Sequence, residues 1–297
     1  MSKITQALEK AARERLQAKR EPVIVPSAPV TVPLLASSVH AAPFVESRIG
    51  AIASAGAVQV DAHIVSANDS ASPIAEQYRI LRTNLKSLNS GRSGLKVILL
   101  TSAVNGEGKS VTSINLALTF ARQEHLRVVL VDADMRKSSV PRWLGLKDRK
   151  TGLSTVLRNG GELNGSLVSL QSPKLTILPA GPVADHPAEL LESVAMKRLL
   201  ATLKTQFDLI IIDAPPVLPV TDPGILASQA DGVLLVVRAG KTQRKTVTEA
   251  REMLKKAKAN LIGCVLTHVE HYLPGYARYY HDYRLAKENG NTHLEAN

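Results

Sequence analysis

A single cysteine, Cys264, stands in 297 residues, which excludes a disulfide framework and any zinc site built on several thiolates. Nothing in the chain asks for an oxidising compartment, so the cytosol is the expected location. Uninterrupted apolar runs of about 18 residues are also missing, and no bilayer-spanning helix is expected. The nearest stretch, Val23 to Ala36, is broken by Pro26, Pro29 and Pro33. Prolines at that density spoil the apolar helix of a signal peptide, and the chain is read as unprocessed. With 44% hydrophobic and 21% charged residues, the composition is that of a soluble globular protein, one large domain with appendages.

Charge is present but uneven. Residues 1–20 carry six Lys/Arg against two Glu, a net +4; residues 21–72 carry one Arg against four acids, a net −3; the rest carries +10. A basic body implies an anionic partner: nucleotide phosphates, nucleic acid or an acidic membrane face. Within residues 1–20, Ile4, Leu8, Ala12 and Leu16 recur every four positions, as in a short helix that needs a partner to persist. Residues 21–72 lack lysine and any sustained period, and read as a flexible tether rich in Pro, Ala, Ser and Val. Order is expected to begin at Ser72-Pro73, an N-cap residue with proline at the first helical position. Ile74, Tyr78, Leu81, Leu85 and Leu88 follow as one apolar stripe, with Glu76, Arg79 and Lys86 on other faces and Arg82 at the edge.

From Lys96 onward, apolar β-rich runs alternate with helical patterns. Strands are expected at Val97–Thr101, Val128–Val131, Leu175–Leu178, Leu209–Ile212, Val233–Val237 and Ile262–Leu266. Helices are expected from Lys109, from Ala188 to about Thr205, and from about Thr246 to Ala257. Runs that are apolar on both faces and joined by helices describe an α/β fold, a parallel sheet with helices on both faces, preceded by the tether; the Gly-Glu-Gly-Lys-Ser sequence at 106–110, after the first strand, makes the expected fold P-loop NTPase-like. The expected divisions are residues 1–20, 21–72, 73–271 and a tyrosine-rich tail, 272–297. Ligands of such sheets bind at the carboxyl ends of the strands.

The first strand ends in Thr-Ser-Ala-Val-Asn-Gly-Glu-Gly-Lys-Ser, residues 101–110. Glycines 106 and 108 let the backbone approach a phosphate, successive N–H groups point inward, and the following helix presents its positive end. The expected nucleotide contacts are Asn105, Gly106, Glu107, Gly108, Lys109, Ser110 and Val111. Lys109 would reach the β- and γ-phosphates of ATP, and the Ser110 hydroxyl would ligate Mg²⁺. The outer glycine of the usual GxxxxGK[ST] pattern is absent, replaced by Ala103. Asp132 and Asp134 close the second strand, followed by Arg136, and Asp213 ends the strand Asp208-Leu-Ile-Ile-Ile-Asp213, where it can hold a water of the Mg²⁺ shell. Three carboxylates, a hydroxyl and a lysine around one triphosphate suffice for phosphoryl transfer, because its loose transition state needs positioning and charge neutralisation.

Aromatic residues are scarce, at 3%, yet five of the six tyrosines fall within twelve residues: Tyr272, Tyr276, Tyr279, Tyr280 and Tyr283. The segment has few aliphatic residues, so it reads as a solvated tail whose phenols make a poor core and good phosphate acceptors. Five phosphorylations would add about −8 to −10 charges, comparable to the +10 of the body.

These residues resemble the bacterial tyrosine autokinases of exopolysaccharide and capsule biosynthesis over about residues 73–285. The motifs that carry the resemblance are residues 72–82, Gly-Glu-Gly-Lys-Ser (106–110), Asp-Ala-Asp-Met-Arg (132–136), Ile-Asp-Ala-Pro-Pro (212–216) and the tyrosine cluster. The resemblance implies that Lys109 and Ser110 bind ATP·Mg²⁺, that Asp134 and Asp213 support the metal, and that Asp132 receives or orients the proton of the attacking tyrosine. It further implies that Glu76, Arg79 and Arg82, an ExxRxxR motif, mediate a homo-oligomeric ring in which one subunit's tail enters its neighbour's site. Glu76 can pair with Arg79 within the helix, leaving Arg82 free for a neighbour. Without a span of its own, the chain resembles the separate kinase type. That type is cytoplasmic, peripheral at the inner membrane face through a chain-length-determinant adapter whose cytosolic tail activates it, and opposed by a cognate tyrosine phosphatase.

Two rivals share the loop. A partition or septum-placement ATPase would carry a second lysine where Val104 stands, and no recognition helix or basic-aromatic pattern argues for nucleic acid. A nucleotide-gated, non-catalytic scaffold would give the tyrosines no role. A GTPase is disfavoured because Asp213-Ala-Pro-Pro lacks the glycine of a DxxG switch and no NKxD is present.

Overall fold

The structure, a computed structural model, describes residues 52–56, 58–88, 94–147, 150–163 and 165–269. Every described residue belongs to one unit, which falls within Glu46–Asn297. The expected helix within residues 1–20, most of the tether and the five tail tyrosines lie outside the described residues.

In chain order the elements are β1 (Ala53–Ser54), α1 (Val65–Asn68), α2 (Pro73–Leu88), β2 (Val97–Ser102), α3 (Lys109–Ala121), β3 (Val128–Asp132), α4 (Val140–Trp143), α5 (Leu153–Arg158), β4 (Val168–Gln171) and β5 (Lys174–Leu178). They continue with α6 (Pro187–Glu192), α7 (Val194–Gln206), β6 (Leu209–Asp213), α8 (Asp222–Ala227), β7 (Gly232–Arg238), α9 (Arg244–Lys256) and β8 (Leu261–Thr267). One eight-stranded sheet runs in the order β1-β4-β5-β3-β6-β2-β7-β8. Strands β2, β3 and β6 are buried along their whole length, which is why they read as continuous apolar runs. Alternate residues serve opposite faces. Leu99, Val131, Ile212 and Leu235 pack on one side with Leu199, Leu203 and Leu254 of α7 and α9; Ile98, Leu130, Ile211 and Val236 pack on the other with Leu85, Ile114 and Leu118 of α2 and α3.

Four details depart from expectation. The sheet is not wholly parallel: β4 pairs antiparallel with β5, and β1 adds to β4 beyond it. They are the last two strands at that side of the sheet, of four and two residues, too short to leave a period in the sequence. The helix expected from Ala188 is two, because Ser193 adopts an extended conformation and its hydroxyl caps α7 by accepting from the Met196 N–H at 3.3 Å. Leu88 falls off the buried stripe of α2 and is 58% exposed.

The fourth departure moves the boundary of the tether. Residues 58–72 are part of the folded body: Ile64 is wholly buried in the cluster with Leu85 and Ile114, and the Ser66 N–H donates to Asn115 Oδ1 at 2.8 Å. Arg122 closes the same clasp by donating to the Ser66 carbonyl at 2.6 Å. This segment has little secondary structure of its own; its backbone groups bond within its own turns, to the Trp143 carbonyl, and to the side chains of Asn115 and Arg122, so periodicity has nothing to report there. The start of α2 does follow expectation, with Ser72 Oγ accepting from the Ala75 N–H at 3.2 Å.

Candidate active site

Parallel register brings the site together. Asp132 and Asp213 are paired residues at the ends of β3 and β6, and Leu100 of β2 lies beside Asp213, so the phosphate loop leaves the sheet next to both carboxylates. Within that loop Gly106 and Gly108 have φ of 81° and 88°, conformations open to glycine at little cost. Gly108 is the N-cap of α3 and offers no side chain, so the first N–H groups of the helix stay available to an anion.

Lys109 lies among the acids. Its Nζ donates to Asp134 Oδ2 at 3.1 Å, approaches Ser110 Oγ at 3.3 Å and stands 3.9 Å from Asp213 Oδ2. Burial alone would pull the ammonium pKa down, but the charges of Asp213 and Asp134 outweigh it and the net shift is upward. Lys109 therefore stays charged. Asp132 is wholly buried; Oδ1 accepts from the Asp134 N–H at 3.2 Å, and Oδ2 accepts from Ser138 Oγ at 2.7 Å and the Val140 N–H at 3.2 Å. Burial, reinforced by the charge of Asp213, pushes the Asp132 carboxyl up to about 7. Burial likewise raises Asp213, against the opposing pull of Lys109.

Asp213 Oδ1 accepts from Ser113 Oγ at 3.0 Å, whereas its buried Oδ2 has no hydrogen-bond partner. A buried carboxylate oxygen left unsatisfied beside a lysine and the Ser110 hydroxyl fits a hydrated Mg²⁺. Among the described residues no three His, Cys, Asp or Glu side chains form a metal cage.

Of the residues expected here, Lys109, Ser110, Asp132, Asp134 and Asp213 converge, and Asn105, Gly106, Gly108 and Val111 lie in or directly after the loop. Glu107 does not present its carboxylate to a phosphate: the side chain turns inward and is 2% exposed. Sequence reasoning missed Ser113, Ser138 and Thr242, and it missed the bond of Thr267 to the loop; these hydroxyls hold the acids or the loop, and Ser113, one turn after Lys109, was the most visible of them. It also missed that Arg136 forms a two-bond pair with the wholly buried Asp222, at 2.9 and 3.0 Å. On α2, Arg79 pairs with Glu76 as expected and also donates to the Ser70 carbonyl at 2.6 Å. Arg82 is not free, because its Nη1 donates to the Thr119 carbonyl of α3 at 2.9 Å.

A phosphate loop followed by a helix, with a charged lysine between strand-end carboxylates, defines a nucleotide-dependent enzyme of the P-loop class. The family described as an AAA domain matches residues 95–262. The chain is similar to tyrosine-protein kinase YwqD of Bacillus subtilis, 37% identical over 204 residues that cover 69% of this chain and 85% of that protein. Among solved structures it is similar to the chimerical protein CapA2B2, with a TM-score of 0.65, 31% identity and coverage of 73% of this chain and 93% of that one. The kinase domain of Escherichia coli tyrosine kinase ETK gives a TM-score of 0.66 at 27% identity, covering 71% of this chain and 82% of that one. The chain belongs to the bacterial tyrosine kinases, and it is a nucleotide-binding protein-tyrosine kinase.

Proposed function

We propose that this kinase transfers the γ-phosphoryl group of ATP to Tyr272, Tyr276, Tyr279, Tyr280 and Tyr283 of another copy of the same chain. The observation that carries the proposal is the place where the tail departs. Thr267, the last residue of β8, donates its hydroxyl to the Glu107 carbonyl in the phosphate loop at 2.8 Å, and Tyr272 follows five residues later in the sequence. The tyrosine-bearing sequence therefore follows directly on the end of the sheet that holds the site, which supports the reading that it serves such a site in a neighbouring copy.

In the proposed reaction a phenolic oxygen forms a bond to the γ-phosphorus as the β–γ bridging P–O bond breaks, and ADP leaves with the electron pair. Lys109 neutralises charge on the transferring group, and backbone N–H groups of the loop position it. Asp132 receives the phenolic proton, with the exposed Ser138 hydroxyl bonded to it. Ser110, Asp134 and Asp213 would hold Mg²⁺, which when bound neutralises phosphate oxygens and lowers the cost of charge build-up.

Glu76, Arg79 and Arg82 are proposed to assemble the copies into a ring, so that transfer runs in trans. Among the described residues no helix is long and apolar enough to cross a membrane. The resemblance noted above supports a cytoplasmic kinase brought to the inner membrane face by a chain-length-determinant adapter, reversed by a tyrosine phosphatase and controlling capsule or exopolysaccharide polymerisation and export.

The test mixes two variants with radiolabelled ATP and Mg²⁺: Lys109→Met with its tail intact, and a chain whose five tail tyrosines are phenylalanine. Label on the Lys109→Met chain supports transfer in trans. Free phosphate with no labelled protein would return the chain to the partition-type ATPase reading, and neither product would favour the scaffold.

A further inference from the structure

Glu107 occupies the middle of an anion-binding loop, where a carboxylate facing the ligand would repel it. The side chain is instead enclosed by donors. Oε2 accepts from the Val104 N–H at 2.8 Å; Oε1 accepts from the Thr242 hydroxyl at 2.5 Å and the Arg238 N–H at 3.3 Å. Its carbonyl accepts from Thr267 Oγ1 at 2.8 Å, and a Cβ placed on the next residue, Gly108, would sit 3.4 Å from Thr267 Cγ2. The entrance of the phosphate loop is thereby tied to the end of β7, to the turn before α9 and to the end of β8.

The residue type matters. An ionised carboxylate only accepts hydrogen bonds, so it satisfies two N–H groups and a hydroxyl together, whereas the amide of glutamine would set an NH₂ against one of those donors. Thr242 contributes the shortest of the three side-chain contacts and comes from a part of the chain that holds none of the expected nucleotide contacts.

We propose that Glu107 is a positioning residue, and that its latch to Thr242 holds the phosphate loop in its nucleotide-receiving shape before nucleotide arrives. A loop that reaches this shape only part of the time binds with a dissociation constant raised by the inverse of that fraction. Once nucleotide is bound, the shape is already selected and turnover at saturation is nearly unaffected.

The test compares wild type with Thr242→Val, which keeps the shape and deletes the hydroxyl, and with Thr242→Ser, which keeps the hydroxyl. The readouts are titration with a fluorescent ADP analogue, KM for ATP, kcat and thermal melting. Thr242→Val is expected to weaken ADP binding and raise KM by about tenfold, equivalent to about 1.4 kcal/mol, with kcat changed by less than about twofold and Thr242→Ser restoring the affinity. Glu107→Gln is expected to weaken binding further. Unchanged affinity in Thr242→Val, with or without a lower melting temperature, overturns the proposal, as does failure of Thr242→Ser to restore it. Thr267→Val checks the backbone clasp separately: weaker ADP binding supports a braced loop and wild-type affinity counts against it. ADP binding is read directly, so these arms stand even where tail labelling fails.

Discussion

Lys109 Nζ is hydrogen-bonded to Asp134 Oδ2 at 3.1 Å. The lysine proposed to neutralise phosphates also neutralises the carboxylates around it. Lys109→Met is expected to lower label incorporation by at least about 100-fold, the scale of losing a main electrostatic contact to the transition state. Stability is a second readout. Removing the cation leaves the buried Asp213 carboxylate uncompensated unless it takes up a proton, so the loss of melting temperature against wild type should be larger at pH 8 than at pH 5. A melting difference independent of pH would contradict this account.

The raised carboxyl of Asp132 predicts the form of the stability curve. Its folded pKa of about 7 lies above the ordinary 3.8, so the native state binds the proton more tightly than the unfolded chain. Its contribution is complete below the ordinary value and is lost as pH rises through about 7. Asp208 works in the opposite direction: hydrogen bonds from Arg127 hold its carboxyl at about 2, so that contribution exists above 3.8 and fades as pH falls. Asp132→Asn should flatten the decline in melting temperature between pH 6 and pH 8 in nucleotide-free protein. Slope is the readout, because the new NH₂ faces existing donors and lowers stability at every pH.

Residues 58–72 give a direct test of where folding begins. Ile64 is 0% exposed beneath α1, so Ile64→Ala is expected to cost about 2–4 kcal/mol, the usual range for emptying a buried branched aliphatic site. Denaturant melts would show it as a lower midpoint at unchanged slope. A tether would give no loss at all.

The central strands and their acids were legible because both carry local signals. Val97–Thr101 and Leu209–Ile212 are apolar on both faces, and Lys109, Asp132, Asp134 and Asp213 sit where such strands deliver side chains. What escaped was held from a distance or lacked length. Thr267 and Glu107 are 160 residues apart, and Ser113 and Asp213 are 100 apart, so no window of sequence contains either contact. The inward turn of Glu107 was hidden for the same reason: position in the motif suggested a phosphate contact, while the groups that capture its carboxylate come from β7 and the turn beyond it. Strands β1 and β4 are too short to alternate detectably, and Ser193 ends one helix and caps the next within a stretch of helix-forming residues.

Arg82 and Glu76 separate folding from assembly. Arg82 reaches across to the carboxyl end of α3 and bonds the Thr119 carbonyl, so Arg82→Ala removes a charged donor from the monomer itself and is expected to cost about 1 kcal/mol or slightly more. Glu76 is exposed, and its contacts are the local pair with Arg79 three residues on; an exposed pair of that kind is worth about 0–1 kcal/mol. If the ExxRxxR helix assembles copies, Glu76→Ala should reduce the oligomer mass in sedimentation velocity with little change in melting, whereas Arg82→Ala should alter both. Wild-type mass in Glu76→Ala and in an Arg79→Ala companion would remove the helix from the interface, and Arg82 would then be understood as a strut between α2 and α3 alone.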